Sequence, residues 1–331
     1  MVRRPFINDP ENLISEALEG LQIAYPQHLA LNAEHHLITR KNKAKKKVGL
    51  ISGGGSGHEP LHAGFVGEGM LDVAVAGAVF ASPTALQILE GTKAADSGRG
   101  VVQIVKNYTG DVLNFRIAGE FADDLEIETG MVLVADDVAS DSDTGPGRRG
   151  TGATVFVEKI MGAAAERGDS LEKTLKIGQE VADRARSMSL ALEAGTHPNQ
   201  KQPQFDLQDH EVELGVGIHG ERASQRTKYS TADQLIEELL KPLIEHMGLK
   251  KKDELMVLVN GLGGTYPLEL QVANRAVHRY LADQKMTVTR TLMGSYVTSL
   301  NMHGVSVSLL PSDQTILELW DAPVNTPALR W

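Results

Sequence analysis

A chain of 331 residues with 41% hydrophobic and 23% charged residues has enough apolar mass for two ordinary α/β domains or one large one. Its formal net charge of -10 argues against a broad nucleic-acid footprint, so no direct nucleic-acid partner is expected. The lack of cysteine removes disulfides and thiolate metal sites. No apolar run reaches the roughly 20 residues of a membrane span, and Arg3 and Arg4 lack the apolar stretch of a signal peptide, so a cytoplasmic protein is expected.

Asp9 can cap a first helix with Pro10 at its first position, and Leu13, Ile14, Ala17, Leu18 and Leu21 form one apolar stripe. The basic run from Lys41 to Lys47 reads as a solvated connection, because an isolated cationic run on an acidic chain is usually just that. The apolar stretch Val48 to Ile51 is a strand that leads into Ser52-Gly53-Gly54-Gly55-Ser56-Gly57-His58-Glu59-Pro60-Leu61-His62, read as a glycine loop able to turn sharply and approach a ligand. Strand and helix then alternate. Val73 to Ala81 is a strand, Ser82-Pro83 starts a helix, Val101 to Val105 is a strand, Asp111 to Leu125 a helix and Met131 to Ala135 a strand. A Gly- and Asp-rich loop from Asp136 to Gly152 precedes helices over Ala153 to Ala185. Short apolar strands separated by helices specify a helix-flanked sheet, much of it parallel.

Polar, Pro-containing sequence from Thr196 to His210 breaks this rhythm and reads as a linker or a long excursion. A second set follows, with strands at Leu214 to Ile218, Leu255 to Val259, Val288 to Leu292 and Val305 to Leu310. Its helices fall at Ala232 to Met247, Pro267 to Ala282 and Gln314 to Trp320. The expected fold is two α/β domains, each a mostly parallel or mixed sheet flanked by helices. The N-terminal domain covers 1–187 and the C-terminal one 188–331.

His58-Glu59-Pro60-Leu61-His62 fits the H-E-x-x-H pattern of zinc peptidases. That chemistry needs both histidines one helical turn apart, and Pro60 inside the pattern after a run of glycines opposes the helix. No third ligand stands out, so no metal site is expected. The glycine stretch has no Lys-Ser or Lys-Thr after it and does not fit G-x-G-x-x-G, so neither a Walker A loop nor a dinucleotide fingerprint is present. Lys106-Asn107-Tyr108-Thr109-Gly110-Asp111 lies at the carboxyl end of a strand, where open α/β sheets bind ligands. By itself Asp111 reads more simply as a helix cap and Lys106 as a surface cation. Gly215-Val216-Gly217-Ile218-His219-Gly220-Glu221 places a histidine between small residues at a strand end, which is an approachable imidazole or simply a turn.

Together these stretches, with Gly147-Arg148-Arg149-Gly150 and Trp320-Asp321-Ala322-Pro323, resemble the K subunit of dihydroxyacetone kinases over essentially the whole chain. The resemblance implies that His219 attacks the ketone carbonyl to give a reversible hemiaminal. It implies that His58 and Asp111 handle protons, and that Lys106 and the backbone of Gly55, Ser56 and Gly57 supply hydrogen bonds to the substrate. It also implies a homodimer whose substrate is dihydroxyacetone. The single-chain relatives carry a further all-helical nucleotide domain that does not follow Trp331 here, so no cofactor is expected on this chain. ADP/ATP with Mg²⁺ is expected on a separate L subunit, recharged by an M subunit of the phosphoenolpyruvate-dependent phosphotransferase system. Two other readings stay open: a ketose-sensing paralogue that regulates transcription, and a kinase for a related short ketose such as erythrulose. The stretch from Arg222 to Tyr229 is a candidate for partner docking.

Overall fold

The structure is a computed structural model that describes residues 4–43, 46–141, 147–222 and 225–331. The chain divides into two compact units, neither continuous in sequence. The first contains Phe6–Val134, Thr154–Asp183 and Thr315–Trp331; the second contains Ala135–Ala153 and Arg184–Gln314.

The first unit is built on β1 (Leu29–Asn32), β2 (Leu37–Arg40), β3 (Gly49–Ser56), β4 (Val73–Val79), β5 (Val101–Lys106) and β6 (Thr129–Val134), in the order β1-β2-β4-β3-β5-β6. Strands β3 to β6 are parallel, and β2 joins β4 antiparallel with β1 paired outside it. Its helices are α1 (Leu13–Ala24), α2 (Ala85–Ala95), α3 (Thr109–Asp123), α4 (Ala153–Glu166) and α5 (Leu171–Arg184). Helix α2 starts on a capping box between Thr84 and Gln87, one residue after the predicted Ser82-Pro83 start. Helix α1 starts later than its sequence suggests. Asn12 is its N-cap residue, while Asp9 accepts the Glu11 amide at 2.9 Å and so closes a turn of its own.

The glycine stretch is strand rather than loop as far as Ser56. A Cβ at Gly53 would lie 2.5 Å from the Val75 carbonyl oxygen, and one at Gly55 would lie 2.6 Å from the Ala81 amide. The glycines therefore let β3 lie against β4 and the chain following it. The β1–β2 hairpin was not legible in the sequence, because both strands are four residues long and polar at their outer ends. Lys47 departs from the solvated reading of the basic run: it is buried and pairs with Asp72 at 2.5 Å. Ala44 and Lys45 of that run lie outside the described residues.

The second unit holds β7 (Arg186–Glu193), β8 (Glu211–Leu214), β9 (Gln225–Lys228), β10 (Glu254–Gly261), β11 (Thr287–Gly294) and β12 (His303–Pro311), in the order β11-β10-β12-β7-β8-β9. Among the described strands of this unit, only β10 and β11 pair in parallel. Helices α6 (Ala232–Met247) and α7 (Pro267–Asp283) stand close to where their sequence places them. Thr231 and Gln234 form a capping box on α6, and Gly248 at φ 62° closes it. Leu235, Ile236, Leu239, Leu240 and Leu243 of α6 join Leu270 and Val277 of α7 and the apolar strand residues in one core. Both sheets are flanked by helices, so the expected fold class stands.

Strand β7 is not legible in the sequence. Its Ser187-Met188-Ser189-Leu190 alternation is short and sits between a helix and a polar stretch. Strand β8 ends at Leu214 instead of running to Ile218, since Gly215 at φ 83° turns the chain out of the sheet. The polar stretch from Thr196 is a packed excursion. Phe205 is buried with Ala191, Val216, Leu262 and Met302, and Gln204 Nε2 donates to the His219 carbonyl at 2.7 Å. Of the stretch from Arg222 to Tyr229, Ala223 and Ser224 lie outside the described residues. Residues 142–146 of the Gly- and Asp-rich loop do so too. The helix α8 (Gln314–Asp321) leads the chain back to the first unit. No described helix is long and apolar enough to cross a membrane.

Candidate active site

In the first unit, the chain leaves β3 for β4 on one side and leaves β5 through α3 for β6 on the other. The neighbouring carboxyl ends of β3 and β5 therefore form a topological switch point, the crevice in which open α/β sheets bind ligands. Lys106 is the last residue of β5, and Asp111 lies in the first turn of α3. Both are buried, and Lys106 Nζ stands 4.0 Å from Asp111 Oδ2. Tyr108 is the N-cap residue of α3, so Asp111 is not spent on capping. Its Oδ1 takes no hydrogen bond from the described residues. A Cβ at Gly54 would fall 2.5 Å from Lys106 Nζ and 3.3 Å from Asp111 Oδ2. Glycine at this position makes room for the ammonium over the strand.

Lys106 is held from behind by a chain of buried groups. Its Nζ lies 2.7 Å from His62 Nε2 and 3.3 Å from the Gly53 carbonyl oxygen, and His62 Nδ1 lies 2.5 Å from Glu158 Oε1. Burial pushes His62 well below its ordinary pKa, and the Lys106 and His58 charges push the same way, so the ring is neutral. Burial also lowers Lys106, against the pull of Asp111 and Glu158. Burial raises Glu158, with Lys106 opposing it.

His58 is 1% exposed and stacks on Phe80 with ring centroids 5.1 Å apart. Ser56 Oγ donates to the Gly77 carbonyl at 2.7 Å, so its hydroxyl ties the end of β3 to β4. The Gly57 amide faces both Glu59 carboxylate oxygens at 3.1 Å. Burial raises the Glu59 pKa, and the Gly57 amide bond offsets part of this. Residues 58–62 form turns, not the helix that an H-E-x-x-H metal site requires, and both ring nitrogens of His62 face protein partners.

In the second unit, His219 sits in the turn after β8, closed by Gly217 N to Glu221 O at 2.8 Å and Gly220 N to Gly217 O at 3.0 Å. Glu221 folds back on it. Oε2 accepts the His219 amide at 2.9 Å and Oε1 lies 3.0 Å from Nδ1. Burial pushes the Glu221 carboxyl up, but the bond from His219, the charges of His219 and Arg149 and a backbone amide outweigh it and hold it below its ordinary value. A carboxylate can only accept, so Nδ1 carries the proton, and in the neutral ring Nε2 is the acceptor nitrogen. Arg149 backs this arrangement: it donates to Asp137 Oδ2 at 2.8 Å and to the Gly215 carbonyl at 2.9 Å, and its Nη1 stands 4.0 Å from Glu221 Oε2. A Cβ at Gly217 would lie 2.0 Å from Glu221 Oε2 and 2.5 Å from Arg149 Nη1, so a side chain there would displace both head groups.

The structure thus brings Lys106, Asp111 and the β3 glycines together in one unit and furnishes His219 with an orienting carboxylate in the other. The sequence does not single out Glu158, Arg149 and Glu221 as parts of the candidate site. Glu158 carried a signal, for it is an acid within the apolar run Ala153 to Ala165, but its partner could not be read.

The Dak1 domain family matches residues 19–328. The chain belongs to the Dak1 family. It is 43% identical over 327 residues to the PTS-dependent dihydroxyacetone kinase 1, dihydroxyacetone-binding subunit DhaK of Listeria innocua, with 98% of this chain and 99% of the relative covered. It is 41% identical over 355 residues to the corresponding PEP-dependent subunit of Escherichia coli (strain K12), with 99% of each covered. Among solved structures, a dihydroxyacetone kinase operon co-activator superposes with a TM-score of 0.91 at 31% identity, covering 95% of this chain and 97% of that one. One Dak1 fold therefore serves both a kinase subunit and a co-activator, and the fold by itself does not separate the two activities.

Proposed function

We propose that this Dak1 protein is the dihydroxyacetone-binding subunit of a phosphoenolpyruvate-dependent dihydroxyacetone kinase, a phosphotransferase. The observation that carries the reading is the Glu221–His219 pair, which fixes Nδ1–H and leaves Nε2 nucleophilic. Kinase subunits at 41% and 43% identity over nearly the full chain support it.

In this reading Nε2 forms a bond to the ketone carbon, and the carbonyl π pair moves to oxygen, which takes a proton. Nδ1 releases its proton through Glu221 to solvent, which supplies the proton taken by the oxygen, so the imidazole and Glu221 end as they began in charge. A triose has only six heavy atoms, and at roughly 1.5 kcal/mol per atom its non-covalent affinity is capped. A reversible covalent bond lifts that cap and selects a ketone over glycerol. His58 and Asp111 handle the protons of the hydroxyl to be phosphorylated, and Lys106 and the backbone of Gly55, Ser56 and Gly57 donate hydrogen bonds to the substrate. A separate L subunit brings ADP/ATP with Mg²⁺, and an M subunit of the phosphotransferase system recharges it. The kinase subunit acts as a homodimer in the cytoplasm.

Carbon NMR with carbonyl-labelled dihydroxyacetone tests the capture step. The labelled ketone signal is expected to convert to that of a tetrahedral carbon, and unchanged ketone in bound ligand overturns the hemiaminal. Mixing with purified L and M subunits and phosphoenolpyruvate is expected to yield dihydroxyacetone phosphate. Capture without turnover would overturn the kinase reading in favour of a ketose-sensing one.

A further inference from the structure

We propose that Glu158 and His62 are positioning residues that hold the Lys106 ammonium for a substrate oxygen by fixing the tautomer of His62. The proposal rests on the assignment of Lys106 to substrate binding and says what makes Lys106 able to do it.

The starting observation is an expensive group with no evident structural purpose. Glu158 is 0% exposed on α4, between Val155, Val157, Ile160 and Met161, all buried. A carboxylate in such a place is costly, and replacement by an apolar residue of similar size is often neutral or stabilising when the charge has no further role. His62 Nδ1 lies 2.5 Å from Glu158 Oε1, and the Ser52 hydroxyl also favours the carboxylate. A neutral imidazole has one donor and one acceptor nitrogen. If Nδ1 donates to Glu158, Nε2 is an acceptor and takes an N–H from Lys106 at 2.7 Å.

The same protons could be arranged differently, as a carboxylic acid, an Nε2–H imidazole and a neutral amine. That arrangement would leave the buried Asp111 carboxylate, 4.0 Å from Nζ, facing no cation. Asp111 therefore selects the ammonium, and with it Nδ1–H on His62. Of the three ammonium protons, His62 takes one and the Gly53 carbonyl, at 3.3 Å, takes a second. Two anchors fix the rotation of the head group, leaving one proton for a ligand oxygen.

A thermodynamic cycle on dihydroxyacetone binding tests this, together with nitrogen NMR of labelled histidine in the ligand-free protein. Lys106→Met is expected to weaken binding about 10–100-fold, the range for hydrogen bonds to charged groups. Glu158→Leu should cost a similar factor, and the double variant should bind no worse than Lys106→Met, because both act through one ammonium. Glu158→Gln should recover most of the loss, since its amide oxygen still accepts the Nδ1 proton and the ammonium on Nε2 opposes the flipped amide, which would need Nε2–H. The His62 signal, assigned by its disappearance in His62→Gln, should show Nδ1–H in wild type and in Glu158→Gln, and a mixture in Glu158→Leu. Wild-type affinity in Glu158→Leu, multiplicative losses in the double variant, or Nε2–H in the wild type would each overturn the proposal. Should Glu158→Leu not fold, Glu158→Gln and the wild-type tautomer still decide it. Failure of the wild type to bind dihydroxyacetone would remove the functional reading alone, and the tautomer would remain a direct test of the buried chain.

Discussion

The two units solve the same problem, aiming a polar group in a defined protonation state, with different materials. In the first unit the aim comes from strand ends. Parallel strands change direction between β3 and β5, glycines clear space above β3, and a buried lysine fills it. In the second unit the sheet is almost wholly antiparallel among the described residues, and His219 sits on a turn. Side chains must then do the orienting, and Glu221 and Arg149 do it by direct hydrogen bonds and charge. A site built from strand ends draws its precision from the backbone; a site on a turn has to import it.

Removal of the chemical group itself should separate the units most sharply. His219→Ala is expected to abolish covalent capture of dihydroxyacetone, seen as a ketone carbon that stays unconverted in the NMR experiment. Asp111→Asn should leave capture within a few-fold of wild type while turnover with the L and M subunits falls about 10²–10⁴-fold, the usual contribution of a general base. Equal loss of binding in both variants would mean that the units do not divide capture and proton transfer as proposed.

The next effect is smaller and concerns orientation. Glu221→Gln keeps an acceptor near Nδ1 but offers a donor as well, so the histidine loses its enforced tautomer. Capture is expected to weaken about 10-fold, and Glu221→Ala about 10–100-fold, the range for a hydrogen bond to a charged group. If both variants captured ketone as the wild type does, the turn would be holding His219 through its backbone alone, and the contrast with the strand-end site would collapse.

The legible parts of the molecule were those in which local chemistry and tertiary role coincide. Helix α6 could be read to the residue because Thr231, Gln234 and Gly248 write both of its ends and leucines mark its buried face. Lys106 and Asp111 could be located because a strand end followed by a helix start is where an α/β sheet binds ligands. The illegible parts depend on neighbours distant in sequence. The glycines from Gly53 to Gly55 look like a loop until β4 and Lys106 are seen packed on them. Glu158 is an anomaly in an apolar helix until His62, 96 positions away, explains it. Strand β7 has a weak pattern because it is central, with partners on both sides that make it a strand.

The units also differ in how they house buried cations, and this gives the smallest effect. Arg149 of the second unit lies among carboxylates and stays charged at any ordinary pH. Lys159 of the first unit is buried on α4, donates to the Leu319 carbonyl at 2.9 Å and lies 5.6 Å from the Trp331 ring. Burial lowers its pKa from 10.5 to about 8, with Asp321 opposing the shift. Above pH 8 the folded state gives up this proton while the unfolded chain retains it until about 10.4. The unfolded state then binds more protons, so stability rises with pH through this window. Between pH 8 and 9 the gain should be about 1 kcal/mol. Both tryptophans, Trp320 and Trp331, belong to the first unit, so urea unfolding followed by tryptophan fluorescence reports on it selectively. Lys159→Met should flatten that pH dependence and leave dihydroxyacetone capture unchanged. A slope that persists in Lys159→Met would assign it to another buried group of the first unit, with Lys106 the next to test.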